Sequence, residues 1–252
     1  MPRTGEVVHV LEVDPDLGEG LNRERELFAR MAAVARVDLL EPGEWRGDEE
    51  YPATAGHLGL LVLEGLLARE MRVGDRVCIE LLGPGDLLRP WVKVAAYSSV
   101  PIDSHWTVVE PARVAVLDRR FAATIARYPE VAGTILDRMM ARSRWLAFHL
   151  AVCHLRLMEE RLLVVLWHFA DRWGRVTPDG VVVPLRITHK MLAGVVGAQR
   201  PSVTTALGAL RREGLVERLP DGTWRLHGSP PESLGRIEEG ARGRPFREHN
   251  FD

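Results

Sequence analysis

The period of the apolar positions changes along the chain. Between 58 and 118 they come in short runs, LGLLVLEG, RVCIELLG and VVEPARVAVL, separated by turn signals at Val73-Gly-Asp75, Gly83-Pro-Gly-Asp86, Pro101 and Pro111. Short strands punctuated in this way predict a sandwich or roll. From Phe121 to Trp173 the pattern is helical, with one break at Tyr128-Pro129. Within it Leu136, Met139, Ser143, Leu146, Leu150, Cys153 and Leu157 recur at alternating spacings of three and four, a heptad seam. A long helix with a narrow seam calls for a partner helix. Parallel pairing of two copies is the first reading, and packing on its own domain is the second. Upstream of the roll, Asn22 to Val37 reads as an amphipathic helix with Leu27, Met31 and Val34 on one side.

A second hairpin signal, Val176-Thr-Pro-Asp-Gly180, leads into a strand, VVVPL. Two short helices follow. The first runs from Thr188, its N-cap, to Val196, and Gly197 supplies the tight turn. The second runs from about Arg200 to Glu213, with Gln199 near its start and Pro201 in its first turn, where a missing N–H costs nothing. Val203, Ala206, Leu207 and Leu210 make its buried face and leave Arg200, Ser202, Thr204, Thr205 and Arg211 outside. Gly214 ends it. Val216 to Arg218 and Thr223 to Leu226 then form a hairpin about Asp221-Gly222. Helix, turn, helix and hairpin in this order predict a winged helix-turn-helix, whose polar, arginine-bearing second helix suits the major groove.

Charge supports this assignment. From Leu185 to His227 there are seven Lys/Arg against three acids, whereas the chain as a whole carries a net −2. A basic module on an acidic body suits phosphate attraction. The apolar share of 46% and charged share of 27% are those of an ordinary folded protein. No apolar run is long enough to cross a membrane, and the N-terminus lacks a signal-peptide core, so the expectation is a cytoplasmic protein without membrane contact.

Residues Glu159 to Trp224 resemble the C-terminal half of the Crp/Fnr regulator family. The resemblance rests on EERLLVVLWHFADRWG, the PDG turn and strand, and RITHKMLAGVVGAQRPSVTTALGALRREGLVE. It extends more loosely to the roll, the Tyr128-Pro-Glu130 helix start and the seam. It implies an α+β protein: an N-terminal β-roll of the cyclic-nucleotide-binding (jelly-roll) type, a long central dimerisation helix and a C-terminal winged helix-turn-helix. The expected bounds are 1–128 for the roll with its N-terminal helix, 129–173 for the central helix, 174–228 for the DNA-binding domain, and 229–252 for a flexible tail.

The resemblance also implies a homodimeric, sequence-specific transcription regulator that binds double-stranded DNA. RNA polymerase and a small-molecule effector are further candidate partners. Arg200 takes the place of the arginine that contacts guanine, while a family glutamate is replaced by Pro201 and a second arginine by Thr205. Thr188, His189, Lys190 and Ser202 fall where the family touches phosphates. In the roll the family binds a cyclic nucleotide through a Gly-Glu pair and an Arg-Ser pair. Here Arg89-Pro90 and Asp103-Ser104 stand at those places, and Leu146-Ala147 replace the Thr-Ser pair that meets the base. These departures predict that cyclic AMP does not control the protein, and they leave the effector open.

Weaker constellations add little. Cys78 and Cys153 cannot make a disulfide framework or a cysteine-rich metal site and read first as two small buried hydrophobes. Cys153, on the seam, has an intersubunit redox role as its second reading. His105, His149 and His154 read as ordinary residues rather than metal ligands, and no cofactor is identified. Trp91, Trp106 and Trp145 read first as core and second as the lining of an effector pocket. Two other function classes share this sequence pattern. One is a cupin-like metal-dependent enzyme, which needs a cluster of His and carboxylate ligands on the strands of the roll. The other is a dimeric interaction protein that has lost DNA binding.

Overall fold

A computed structural model describes residues 5–51, 55–92, 99 and 102–231. Its contacts divide the chain into two units, 1–148 and 149–252. The expected tail beyond residue 231 and the Pro101 turn lie outside the described residues.

The first unit opens with β1 (Val7–His9), α1 (Val10–Val13), a 3₁₀ turn over Pro15–Gly18 and α2 (Arg23–Ala32). It continues through β2 (Val34–Leu40), β3 (Gly43–Trp45), α3 (Gly47–Glu50), β4 (Gly59–Val73), β5 (Arg76–Leu82), β6 (Leu87–Leu88) and β7 (Asp103–Leu117). The strands form one antiparallel sheet in the order β1-β2-β7-β4-β5, with β3 on β7 and β6 on β4. The pairing of β4 with β7 carries it, since the two 15-residue strands pair over nearly their whole length.

The β4–β7 register shifts between Val62 and Leu67. Gly65 sits there at φ +91°, and a Cβ on it would lie 2.2 Å from the Pro111 carbonyl. Only glycine lets the two backbones pass so closely. One face of the sheet buries Leu40, Trp45, Leu60, Trp91, Val108 and Val114. The other packs under Val10, Leu17, Phe121, Ile125, Val131 and Ile135. Phe121 and Ile125 come from α4 (Arg119–Ile125), which Asp118 caps by accepting from two backbone amides. Trp91 and Trp106 pack in the same cluster as Trp45, while Trp145 meets Phe148 edge to face.

The expected helix over 22–37 is corrected. Asn22 caps α2 as N-cap, accepting from the Arg25 amide, but α2 ends at Ala32. Val34-Ala-Arg-Val-Asp-Leu-Leu is instead β2, in register with β7 from Arg36↔Val116 to Leu40↔Ala112. β-Branched residues and a waiting strand edge outweigh the helical spacing. The face of Leu27, Met31 and Val34 points outward, and Ala29 and Ala33 are the buried residues.

The single helix expected over 129–173 is also corrected. It is two helices, α5 (Pro129–Cys153) and α6 (Met158–Trp173). No proline or glycine breaks 154–157. Arg161 Nε instead donates to the freed Leu155 carbonyl at 2.7 Å, satisfying an acceptor that the helix end leaves open. Leu157 becomes the N-cap of α6 and leaves the helical part of the seam.

Within the first unit, α5 is tied down by charge. Arg138 forms a two-pronged pair with Asp14. Arg142 grips Glu80 of β5 through Nε–Oε1 at 2.7 Å and Nη2–Oε2 at 2.9 Å, and donates to the Leu87 carbonyl. Arg69 of β4 reaches the same carboxylate at 2.7 Å and lies over the Trp106 ring. Glu80 is buried. Burial pushes its carboxyl up, but the Arg142 and Arg69 guanidiniums outweigh that and hold it below the usual carboxylate range.

Candidate nucleic-acid interface

The second unit continues through β8 (Arg175–Thr177), β9 (Gly180–Val183), α7 (His189–Val195), α8 (Arg200–Arg212), β10 (Val216–Arg218) and β11 (Trp224–Leu226). Its four strands run in the order β10-β11-β9-β8. Pro184, which has no N–H to give, ends β9 two residues short of the expected VVVPL. α6 buries Leu162 through Ala170 and packs on α8. It is thus part of the helix-turn-helix body, and an edge drawn at 173/174 would split that body. His168 of α6 meets His149 with ring centroids 5.3 Å apart, and burial, His149 and Arg172 push its pKa down to about 3.

The helix-turn-helix is built by short-range chemistry. Thr188 caps α7, its Oγ1 accepting from the Met191 amide at 3.2 Å. Ala198 N donates to Ala193 O across the turn, where Gly197 has φ +65°. The positive φ makes any side chain at Gly197 strained, and its Cβ would also stand a tight 3.2 Å from Cys153 Sγ. α8 buries Val203, Ala206, Leu207 and Leu210, and Gly214 at φ +71° follows its end. The wing pairs Val216↔Leu226, Glu217↔Arg225 and Arg218↔Trp224. Its tip is tied by Asp221, which accepts from both the amide and the hydroxyl of Thr223.

This frame leaves Thr188, Lys190, Gln199, Arg200, Ser202, Thr204 and Thr205 exposed. Neither α7 nor α8 carries an acid in its first turn, so the positive N-terminal end of the 13-residue α8 faces no carboxylate of its own there. His189 differs from its expected solvent-facing neighbours. It is half-buried, its Nδ1 lies 3.0 Å from Thr204 Oγ1, and its ring leans on Trp224 of the wing at 6.1 Å. Arg218 covers the same Trp224 ring, which brings a wing arginine beside the helices. Sequence spacing missed this grouping, because the fold alone joins β10 and β11 to α7.

Residues 160–227 match the family model of the Crp-like helix-turn-helix domain. The chain carries a Crp-like helix-turn-helix domain, that of a DNA-binding transcription regulator. It is 30% identical over 88 residues to the global nitrogen regulator of Synechococcus elongatus, which is 35% of this chain and 40% of that protein. To the global nitrogen regulator of Synechocystis sp. it is 21% identical over 208 residues, 79% of this chain and 91% of that protein.

Among solved structures, a CooA variant from Carboxydothermus hydrogenoformans superposes with a TM-score of 0.58 at 18% identity, covering 76% of this chain and 83% of that one. A CRP/FNR-family regulator from Thermus thermophilus gives 0.50 at 22% identity, covering 77% and 94%. The fold is therefore the expected one: β-roll, central helix and winged helix-turn-helix.

The seam residues of α5 are open to solvent: Leu136 is 58% exposed, Met139 40%, Leu146 36% and Leu150 65%. Ser143 is exposed too, and Cys153 is half-buried. Burial pushes the Cys153 thiol up, and its Sγ lies against the Val195 carbonyl. Cys78 is exposed, which corrects the expectation that both cysteines are buried. It sits mid-strand on β5, where alternation turns it away from the buried Ile79.

At the places of the family's nucleotide contacts, Arg89 lies over the Trp91 ring, and Pro90 is buried near Gly47. Asp103 is exposed and pairs with His105 at 3.0 Å. Leu146 and Ala147 are exposed on α5. Among the described residues no group of three or more His, Cys, Asp or Glu side chains is placed to hold a metal ion, and no helix is long and apolar enough to cross a membrane.

Proposed function

We propose that this regulator works as a cytoplasmic homodimer, paired along α5, that presents two copies of α8 to successive major-groove segments of double-stranded DNA. The observation that carries the reading is the exposure of Thr188, Lys190, Gln199, Arg200, Ser202, Thr204 and Thr205 on the two short helices. The exposed apolar seam supports pairing of two copies, because a monomer gains nothing from leaving four large side chains in water. In this docking Arg200 reads a guanine, whose O6 and N7 fit its two-pronged fork. Thr188, Lys190 and Ser202 hold phosphates. Gln199, Thr204 and Thr205 flank the bases. A non-enzymatic role fits the regulators it resembles. RNA polymerase and a small-molecule effector are the partners such a regulator would take.

Selection of bound sequences from random DNA tests this docking. Arg200→Ala should cost about 1–3 kcal/mol of specific binding and relax the preference at one guanine per half-site. A variant that binds every sequence equally less well would make Arg200 a phosphate contact and overturn it.

Control by cyclic AMP is not part of the proposal. A buried cyclic phosphate needs a paired cation or several donors. Asp103 puts a negative charge where the family has its arginine, Pro90 offers no amide, and Leu146 and Ala147 offer a base no hydrogen bond. Calorimetry with cyclic AMP or cyclic GMP at about 100 µM, enough to register a weak site, should show no heat of binding. Saturable binding that also tightens DNA affinity would return the protein to nucleotide sensing.

A further inference from the structure

His189 stands between the two parts of the interface. Its Nδ1 lies 3.0 Å from Thr204 Oγ1, and that hydroxyl gives its own hydrogen to the Arg200 carbonyl at 3.0 Å. The hydroxyl has one hydrogen, so toward the imidazole it must accept. Nδ1 therefore carries the N–H, and Nε2 holds the lone pair of a neutral ring. Each element around the ring adds positive charge or none: Arg200 with Thr204 on α8, Arg218 on β10, Trp224 on β11, and Lys190 next to it on α7. Burial first, then Arg218 and Arg200, hold the imidazole below its ordinary pKa, so the free protein keeps it neutral near pH 7.

We propose that His189 is a proton-dependent phosphate contact, which takes up a proton at Nε2 as the duplex arrives and makes DNA affinity rise as the pH falls. The proposal rests on the docking of α7 and α8 put forward above. A phosphate beside this site reverses the local balance. The surplus of positive charge that opposes protonation is neutralised, and the new N–H gains a charged acceptor. The bound-state pKa then lies above the free-state one. By linkage, affinity climbs as the pH drops through the bound-state pKa, and it levels off once the pH is below the free-state value. Each subunit contributes at most one proton, so the slope of log affinity against pH steepens by at most about one per subunit.

The test uses the full chain and a 40-base-pair random-sequence duplex, because phosphate contacts do not need the operator. Affinity is measured by fluorescence anisotropy at low salt from pH 8.5 to 5.5, for the wild type, His189→Gln, His189→Arg and Lys190→Ala. The wild type should show the steeper rise toward acid pH. His189→Gln, whose amide can still donate to Thr204, should lose that excess slope. Whatever slope the other histidines cause remains in the variant and cancels in the comparison. His189→Arg should be as shallow as His189→Gln but tighter near pH 8. The salt dependence of the wild type should also gain about 0.9 per subunit on acidification as one more phosphate is neutralised.

Equal slopes in the wild type and His189→Gln, with Lys190→Ala still weaker, would overturn the proton contact and leave the docking intact. If Lys190→Ala and both His189 variants bind the duplex as the wild type does, the docking itself is wrong, and the proposal falls with it.

Discussion

Leu146→Glu is expected to turn the protein into a monomer. The position lies mid-way along α5 and is flanked on the same face by Met139, Ser143 and Leu150, all at least partly open to solvent. In a parallel pair the two Leu146 side chains meet each other. Two glutamates there would be buried side by side with no cation to receive them, and burying such charges costs several kcal/mol. Sedimentation should show a monomer at micromolar concentration. DNA affinity should fall by about 100-fold or more, because a lone helix-turn-helix loses the effective concentration that its tethered twin provides. Circular dichroism should be unchanged, since the side chain is exposed within one chain. A Leu146→Glu protein that remains dimeric would place the pairing surface elsewhere.

Glu80→Ala should be the most destabilising single change in the first unit, at about 3–5 kcal/mol by urea unfolding. The carboxylate serves two guanidiniums, Arg142 of α5 and Arg69 of β4, both largely buried. Removing it leaves two positive charges facing each other, neither with enough water. Arg142→Met should cost less, because the Arg69–Glu80 pair survives and the methionine fills much of the space. A Glu80→Ala cost below 1 kcal/mol would mean that water already reaches the cluster. The pH dependence has a definite sign. Glu80 is held below its unfolded pKa of about 4.3, so its contribution is complete above that value and is lost as the pH falls through the lower, folded one. Acid should therefore loosen α5 from the sheet.

That cluster was not legible in the sequence. Arg142 and Glu80 are 62 residues apart, and charged positions on exposed and buried strands look alike until the register is known. The winged helix-turn-helix was legible because its determinants are local. Thr188 as cap, Gly197 as turn, Val203 through Leu210 as buried face and Asp221-Gly222 as hairpin all lie within 35 residues.

The two misread elements failed for identifiable reasons. Val34 and Val37 of β2 stand three apart, a helical spacing, and the identity of the strand comes from pairing with β7. The break between α5 and α6 has no breaker residue, only an arginine that satisfies the carbonyl it exposes. The residues of α7 and α8 singled out by resemblance are exposed, apart from the half-buried His189. The half-burial of His189 depends on Trp224, which no spacing rule ties to it.

Pro201 sits exposed in the first turn of α8, beside Arg200. A pyrrolidine ring has neither a hydrogen-bond donor nor an acceptor, so it cannot tell an exocyclic amine from a carbonyl. What it can sense is bulk and apolar contact, such as a thymine methyl group. If α8 enters the groove as proposed, the base pair facing Pro201 carries fewer bits of sequence information than the one facing Arg200. A genome of competing sites must then be searched with a shorter effective word per half-site. The missing discrimination has to come from geometry, namely the fixed spacing and two-fold symmetry of two half-sites read together.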